Sequence, residues 1–89
     1  MPITYINIEW PDNQKDQVYS PSSVINEYLK PGESLSLEEF LTRCTTGLNE
    51  ASERVRLKFG YSCTSAQAES SRISEKCQNY DAKKIVKIV

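Results

Sequence analysis

Alternating apolar and polar positions at the start of the chain predict a β-hairpin. Residues 3–10 are rich in β-branched and aromatic types, and one face of the predicted strand carries Thr4, Ile6, Ile8 and Trp10. Residues 11–13, Pro-Asp-Asn, favour a turn because proline fixes φ and Asp or Asn tolerates left-handed backbone, so residues 15–20 are expected to return as a second strand. We expect Trp10 and Tyr19 to face each other across this hairpin, fixing its register or covering the core, in preference to an exposed binding pair.

A short helix of about two turns is predicted after the hairpin. Ser20 is suited to the N-cap and Pro21 to the first helical position, where a missing N–H costs nothing. Apolar residues then follow at helical spacing, at Val24, Ile25, Tyr28 and Leu29. Residues 30–32, Lys-Pro-Gly, are expected to end this helix.

A long central helix is the most strongly patterned element. Ser36 and Glu39 have the spacing of a capping box, and Gly60 is suited to the C-terminal end. Between them runs an apolar stripe with helical periodicity, formed by Leu37, Phe40, Leu41, Cys44, Leu48, Ala51, Val55 and Phe59.

A third helix and a third strand complete the predicted fold. Thr64 and Gln67 have the spacing of a second capping box, and the predicted buried face of this helix contains Ala66, Ile73, Cys77 and Tyr80. The last residues, KKIVKIV, change to β-branched types and are expected to pair with the hairpin. The prediction is a single α+β domain over residues 1–89, with the order ββαααβ and three helices packed on one face of a small sheet.

Composition narrows the classes of function. The 89 residues carry a net charge of -1, so no overall positive field would attract nucleic acid or an anionic membrane. The chain lacks histidine, the commonest general base and metal ligand, and its three isolated cysteines make a poor zinc site. We therefore predict no catalytic centre, no metal site and no bound cofactor. The first residues lack an apolar leader, and no stretch approaches the ~20 apolar residues that span a bilayer. With an odd number of widely spaced cysteines, these features predict a cytoplasmic protein.

The cysteines divide into two groups. Cys44 and Cys77 lie on predicted buried faces, where a thiol behaves as a small apolar side chain. Cys63 lies just before a predicted helix N-terminus, where the helix dipole favours the thiolate, so it is the candidate reactive thiol.

Charged residues on the central helix favour a solvated surface. Helical ion-pair spacing occurs at Glu39–Arg43, Glu50–Arg54 and Glu53–Arg56. The basic residues Arg54, Arg56 and Lys58 also lie where cations stabilise a helix C-terminus. The alternative is a local anion-binding or nucleic-acid patch that they form with Lys83, Lys84 and Lys87. Two helices around Gly60 would suit a helix-turn-helix, although the mixed charges of residues 66–78 argue against a recognition helix.

Several short motifs, in the same order over most of the chain, carry a resemblance to a known family. They are Trp10-Pro11-Asp12, Tyr19-Ser20-Pro21-Ser22, Tyr28-Leu29 before Pro31-Gly32, and Ala51-Ser52-Glu53-Arg54-Val55-Arg56 followed by Lys58, Gly60, Cys63 and Ala66. In these motifs the chain resembles a small bacterial family of nitrogen-starvation-response proteins that are typically encoded in a gene cluster with a nitrilase. Asn13 stands where the family pattern has glycine, but asparagine tolerates the same left-handed backbone.

The resemblance implies an accessory role in a nitrile-related nitrogen pathway. The other proteins of that pathway include the nitrilase, a radical enzyme, an acetyltransferase-like protein and a flavoprotein. The resemblance implies no catalytic residues in this chain. Our leading interpretation is a non-catalytic accessory or interaction protein, with protein partners that include enzymes of the nitrilase cluster.

The candidate interaction surface combines the hairpin, the basic helix end and the C-terminal strand. Its residues are Trp10, Pro11, Asp12, Tyr19, Arg54, Arg56, Lys58, Ile85, Val86 and Ile88. Residues 85–89 are expected to form an exposed sheet edge through which two copies would pair as a homodimer. The alternatives are a nucleic-acid-binding regulator that uses the basic helix end, a thiol-based redox sensor or enzyme at Cys63, and a sensor of a small molecule.

Overall fold

The chain forms a two-layer α+β fold in which helices pack against one face of an antiparallel sheet. The computed structural model describes residues 3–60 and 64–89. Over these residues the elements are, in chain order, β1 (Thr4–Glu9), β2 (Lys15–Ser20), a 3₁₀ helix (Ser23–Glu27), β3 (Ser34–Ser36), α1 (Leu37–Phe59), α2 (Thr64–Cys77) and β4 (Ile85–Ile88). The predicted α+β class agrees with this architecture. The predicted order ββαααβ is wrong, because the described residues contain two α-helices and four strands.

The N-terminal hairpin forms where it was predicted. β1 and β2 pair antiparallel, with Tyr5 opposite Tyr19. In the turn, Asn13 adopts a φ of 71°, and its N–H donates to the Trp10 carbonyl at 2.8 Å. The Trp10 N–H in turn donates to the Gln14 carbonyl at 2.8 Å. The left-handed backbone expected of this turn is therefore supplied by Asn13.

The segment after the hairpin is a 3₁₀ helix and not the predicted α-helix. Ser20 is the last residue of β2, and its hydroxyl donates to the Ser22 carbonyl at 2.7 Å. Ser22 is the N-cap, because its Oγ accepts a hydrogen bond from the Val24 N–H. The turn chemistry of Ser20 and Pro21 thus joins the strand to the 3₁₀ helix and does not begin a longer helix. The predicted apolar positions Val24, Ile25 and Leu29 are nevertheless buried.

The C-terminal strand lies inside the sheet, which has the order β2-β1-β4-β3. β4 pairs with β1 at Ile8 and Ile88, as predicted, and with β3 at Leu35 and Val86. The expectation that residues 85–89 form an exposed edge is therefore wrong, and with it the structural basis for a dimer through that edge. Val86 and Ile88 are buried core residues. The edge of the sheet next to β4 is formed by β3, a strand that the sequence pattern did not predict.

The long helix α1 has the predicted ends and most of the predicted buried stripe. The Ser36 Oγ accepts a hydrogen bond from the Glu39 N–H at 3.3 Å, and Gly60 ends the helix with a left-handed φ of 84°. Phe59 is the exception in the stripe, because it is 51% exposed. α2 buries Ala66, Ile73 and Cys77 as predicted, and Thr64 is its first helical residue where an N-cap was predicted. No helix in the described part of the chain is both long and apolar enough to span a bilayer.

Trp10 occupies the core at the turn end of the hairpin. Its ring packs edge-to-face on Phe40, with centroids 5.6 Å apart, and stacks on Tyr80 at 5.7 Å. Tyr19 lies on the opposite face of the sheet, edge-to-face with Tyr5 at 5.9 Å. Trp10 and Tyr19 thus do not face each other, since the alternation of side chains separates them. Trp10 covers the core, whereas the pair that spans the hairpin is Tyr5 with Tyr19.

Gly47 allows the 3₁₀ helix to lie directly on α1. A Cβ atom at this position would come within 2.6 Å of Ile25 Cδ1 and 3.1 Å of the Tyr28 ring. The Tyr28 hydroxyl donates a hydrogen bond to the carboxylate of Glu50 on α1, and this bond holds the Tyr28 ring in place. The buried glycine therefore marks a close contact between the 3₁₀ helix and α1.

Candidate functional site

Within residues 3–60 and 64–89, the helices cover one face of the sheet and leave the other face open. On β1, Ile6 and Ile8 point into the core, whereas Tyr5 and Asn7 point away from it. The same alternation on the other strands defines the open sheet face, which consists of Ile3, Tyr5, Asn7, Glu9, Lys15, Gln17, Tyr19, Ser34, Ser36, Ile85, Lys87 and Val89. These side chains are held by strands with a defined register, so the surface is preorganised.

Apolar side chains collect at one end of the open sheet face. Ile3, Tyr5 and Val89 are 61%, 57% and 60% exposed, and Tyr19 is half-buried beside Tyr5. The Val89 N–H donates to the Asn7 carbonyl at 2.9 Å, which brings the last residue next to the tyrosines. Tyr5, Tyr19 and Val89 line an open groove of about 680 Å³. This contiguous group of apolar residues differs from scattered surface hydrophobics, which need no explanation.

Polar and charged side chains occupy the middle of the same face. The Gln17 side-chain amide donates to Asn7 Oδ1 at 2.9 Å across the hairpin. Two residues after Asn7 on β1, Glu9 lies opposite Lys15 of β2 on one side and Lys87 of β4 on the other. The hydrogen bond from Lys15, with the positive charges of both lysines, lowers the pKa of Glu9 from its ordinary value. One carboxylate thus lies between two ammonium groups, which leaves a surplus positive charge in this row.

The outer edge of β2 is covered by side chains. The Tyr19 N–H donates to Glu69 on α2 at 2.8 Å, and Arg72 donates to the Gln17 carbonyl at 2.8 Å. The Gln17 N–H donates to its neighbour Asp16 at 2.7 Å. We call Asp16, Glu69 and Arg72 the β2 edge network. Because these groups occupy backbone positions that a further strand would need, they protect this edge from strand addition.

The β2 edge network is also tied to the core. Asp16 accepts hydrogen bonds at 2.9 Å from the Trp10 indole N–H and from Arg72. Burial raises the pKa of Asp16, but the hydrogen bonds from Arg72 and Trp10 outweigh it, and the pKa lies below its ordinary value. The pKa of Glu69 is lowered for the same reason, by Arg72 and the Tyr19 N–H against burial. Hydrogen bonds to Glu69 and Asp16 raise the pKa of Arg72. These charged groups are therefore committed to holding α2 on the hairpin.

Sequence reasoning missed this network. The spacing of Glu69 and Arg72 on one helix was a usable signal, since residues three apart on a helix are neighbours. The pairing of Arg72 with Asp16 had no signal in the sequence, because the two residues are 56 positions apart and come into contact only in the folded protein.

The structure separates the predicted interaction residues into distinct regions. Trp10 is in the core, with Pro11 and Asp12 at the hairpin turn, while Tyr19 belongs to the open sheet face. Ile85 is 46% exposed at the other end of that face. The remaining residues, Arg54, Arg56 and Lys58, are exposed at the end of α1. They do not form one continuous surface.

The predicted basic patch is divided as well. On α1, Arg54 pairs with Glu50 and Arg56 pairs with Glu53, as the helical spacing predicted. The Lys84 carbonyl accepts a hydrogen bond from the N–H of Leu37 at the start of α1. Arg54 lies roughly 25 Å further along this helix at 1.5 Å per residue. The two groups of basic residues are therefore too far apart to act as one anion-binding patch.

The described thiols are suited to packing. Cys44 and Cys77 are buried, as predicted. Burial raises the pKa of Cys44 strongly and that of Cys77 to about 11. Both thiols therefore favour the protonated form at neutral pH, which suits a packing role. The candidate reactive thiol Cys63 lies outside the described residues. Within residues 3–60 and 64–89, no three acidic or cysteine side chains are arranged to hold a metal ion.

Comparison with known proteins identifies a family. The sequence model of the family described as "Nitrogen starvation-induced protein NitG" matches residues 5–89. Neither the search of curated proteins nor the search of solved structures returned a match. The match covers nearly the whole chain and includes every strand and helix described above except Thr4, the first residue of β1.

Proposed function

We propose, from the premise that this chain belongs to the family of nitrogen starvation-induced protein NitG, that it is a non-catalytic accessory protein that binds a protein partner. The binding surface in this proposal is the open sheet face. The proposed partners are enzymes encoded in a nitrilase gene cluster, as the motif resemblance to a nitrilase-linked family implies. The chain would thus act on nitrogen metabolism through assembly and not through its own chemistry.

The observation that carries this proposal is the group of apolar side chains at one end of the open sheet face. Tyrosine is enriched at protein interfaces because its ring provides a large contact area at low entropic cost. Tyr5 and Tyr19 are already held against each other with their centroids 5.9 Å apart. A partner that packs over Tyr5, Tyr19 and Val89 would remove apolar surface from water without having to order the strands first.

The polar groups of the described residues also support a binding role. The charged groups of the β2 edge network form hydrogen bonds to other groups within the fold. An active site needs groups that are positioned for a substrate and retain bonding capacity. In contrast, the open sheet face offers apolar contact area and amide groups, which are features of an interface.

A binding experiment with purified components tests this proposal. The chain is immobilised and exposed to the nitrilase and to the other enzymes of its gene cluster, one at a time. We expect at least one enzyme to be retained by the unaltered chain and lost by the variant Tyr5→Ser/Tyr19→Ser. The matched control is Leu57→Ser/Phe59→Ser, which removes two exposed apolar side chains from the end of α1.

The control separates a specific surface from general hydrophobicity. The α1 variant should retain the enzyme that the tyrosine variant loses, and circular dichroism should be the same for all three proteins. Equal retention by the tyrosine variant would refute the open sheet face as the binding surface. Retention of none of the enzymes by the unaltered chain would refute the proposed partners.

A further inference from the structure

We infer that the open sheet face binds a short, acidic, extended peptide segment of its partner. An apolar side chain of that segment would occupy the groove at Tyr5 and Tyr19, and a carboxylate would lie over the row of Lys15, Glu9 and Lys87. This inference rests on the proposed function and adds the chemistry of the bound segment.

The charge of the open sheet face is complementary to an acidic segment. In the part of the chain that the structure describes, this face carries Lys15, Glu9 and Lys87 as its charged residues. Glu9 accepts a hydrogen bond from Lys15 and interacts with the charge of Lys87. A single carboxylate cannot neutralise two ammonium groups, so the row attracts a further anion. The neighbouring acids Asp16 and Glu69 share Arg72 and leave one negative charge at the outer edge of β2. Because Lys87 is on β4, on the other side of β1, the surplus positive charge lies towards β4.

The spacing of the groups fits an extended segment. Tyr5 and Glu9 lie on the same face of β1, roughly 13 Å apart at about 3.3 Å per residue. An extended peptide has the same rise, so its apolar residue and its carboxylate would be about four residues apart. Between these points lie the side-chain amides of Asn7 and Gln17, which are bonded to each other. Each keeps donor or acceptor capacity for the peptide backbone that passes over them.

The same features favour a peptide over a nucleic acid. Exposed aromatic side chains on a sheet also stack on unpaired bases, and ammonium groups also bind phosphates. Affinity for nucleic acid, however, comes mainly from neutralising several phosphates. A row with two lysines and one glutamate supplies about one net charge, which suits one carboxylate better than a chain of phosphates.

A peptide selection tests the inference directly. Short random peptides displayed on phage are selected on the immobilised full chain and sequenced, and an enriched peptide is then synthesised with a fluorescent label. We expect enriched peptides to place an aromatic or aliphatic residue about four residues from Asp or Glu. Binding of the labelled peptide, measured by anisotropy, should disappear in Tyr5→Ser/Tyr19→Ser.

Charge variants then isolate the electrostatic part. Lys15→Gln/Lys87→Gln should bind the labelled peptide on the order of fivefold more weakly and with less dependence on salt. Glu9→Gln should bind it about twofold to fivefold more tightly, because the surplus positive charge increases. A tighter complex is not expected from structural damage, so this variant remains informative even if it is less stable. Lys58→Gln, at the end of α1, is the matched control and should change nothing.

Several outcomes would overturn the inference. One is the absence of enriched peptides, and another is enrichment of apolar anchors without acidic residues. In the latter case the proposed function still stands, because the tyrosines still bind. If Tyr5→Ser/Tyr19→Ser leaves peptide and enzyme binding unchanged, both proposals fail. Tighter binding of labelled single-stranded poly-uridine than of the peptide, lost in the tyrosine variant, would assign the face to nucleic acid.

Discussion

The covered and open faces of the hairpin are built from alternate residues of the same two strands, yet they have different roles. Ile6, Ile8 and Val18 are 5%, 1% and 0% exposed, whereas their neighbour Tyr5 is 57% exposed. The covered side chains contact the helices and contribute to stability through burial. The side chains of the open face do not have to pack against a helix. Stability and recognition are therefore assigned to opposite faces, and substitutions on the two faces should have separable effects.

The largest expected effect is at Trp10, on the covered face. Trp10→Ala removes a ring that packs on Phe40 and Tyr80, and should lower the free energy of unfolding by about 3–5 kcal/mol. Tyr5→Ala, on the open face, removes a cross-strand pair and should lower it by about 0.2–1 kcal/mol. Urea titrations followed by far-ultraviolet circular dichroism measure both values. Similar losses for the two variants would break the distinction between the faces.

An intermediate effect is expected at Gly47, where the 3₁₀ helix meets α1. Alanine favours a helix over glycine by about 1 kcal/mol, so an open position would be stabilised. Here the added methyl group would collide with Ile25 and Tyr28, and we expect a net loss of about 1–2 kcal/mol. Asn49→Ala, at an exposed position of α1, is the matched control and should be neutral or slightly stabilising. Stabilisation by Gly47→Ala, measured as a higher urea midpoint, would show that the contact is loose.

The smallest expected effect is the pH dependence contributed by the β2 edge network. The pKa values of Asp16 and Glu69 lie below the ordinary values of 3.8 and 4.5. A lowered pKa stabilises the fold above the unfolded value, so this contribution is complete at neutral pH and is lost as pH falls below about 4.5. Arg72→Met should lower stability at pH 7 by about 1 kcal/mol and reduce its fall towards pH 3.

The corresponding measurement is a set of urea midpoints for the unaltered chain and Arg72→Met between pH 7 and pH 3. The two curves should converge at acid pH, because protonated carboxyls no longer pair with the guanidinium group. Parallel curves would mean that Arg72 acts through packing of its aliphatic part instead of its charge.

Local signals explain which parts of the fold were predictable from the sequence. The limits of α1 follow from Ser36, whose hydroxyl caps the first turn, and from Gly60, which adopts the left-handed conformation. Its buried stripe follows from helical periodicity. The 3₁₀ helix was mistaken for an α-helix because the same apolar spacing over five residues suits either form.

Non-local features were not predictable in this way. β3 contains three residues, of which Leu35 alone is buried, so it has no pattern to detect. The inner position of β4 depends on pairing with β3, so it was missed as well. For the candidate site, alternation placed Tyr19 on a strand, but its pairing with Tyr5 and the absence of cover over both depend on where the helices pack.

The inner position of β4 also has a consequence for the order of folding. The hairpin and α1 are closed by contacts between residues near each other in the chain and can form within microseconds. β4 lies between β1 and β3, and its pairing of Ile88 with Ile8 spans nearly the whole sequence. Such non-local contacts slow folding. Without β4 the inner edge of β1 is unpaired, and an unpaired strand edge promotes aggregation.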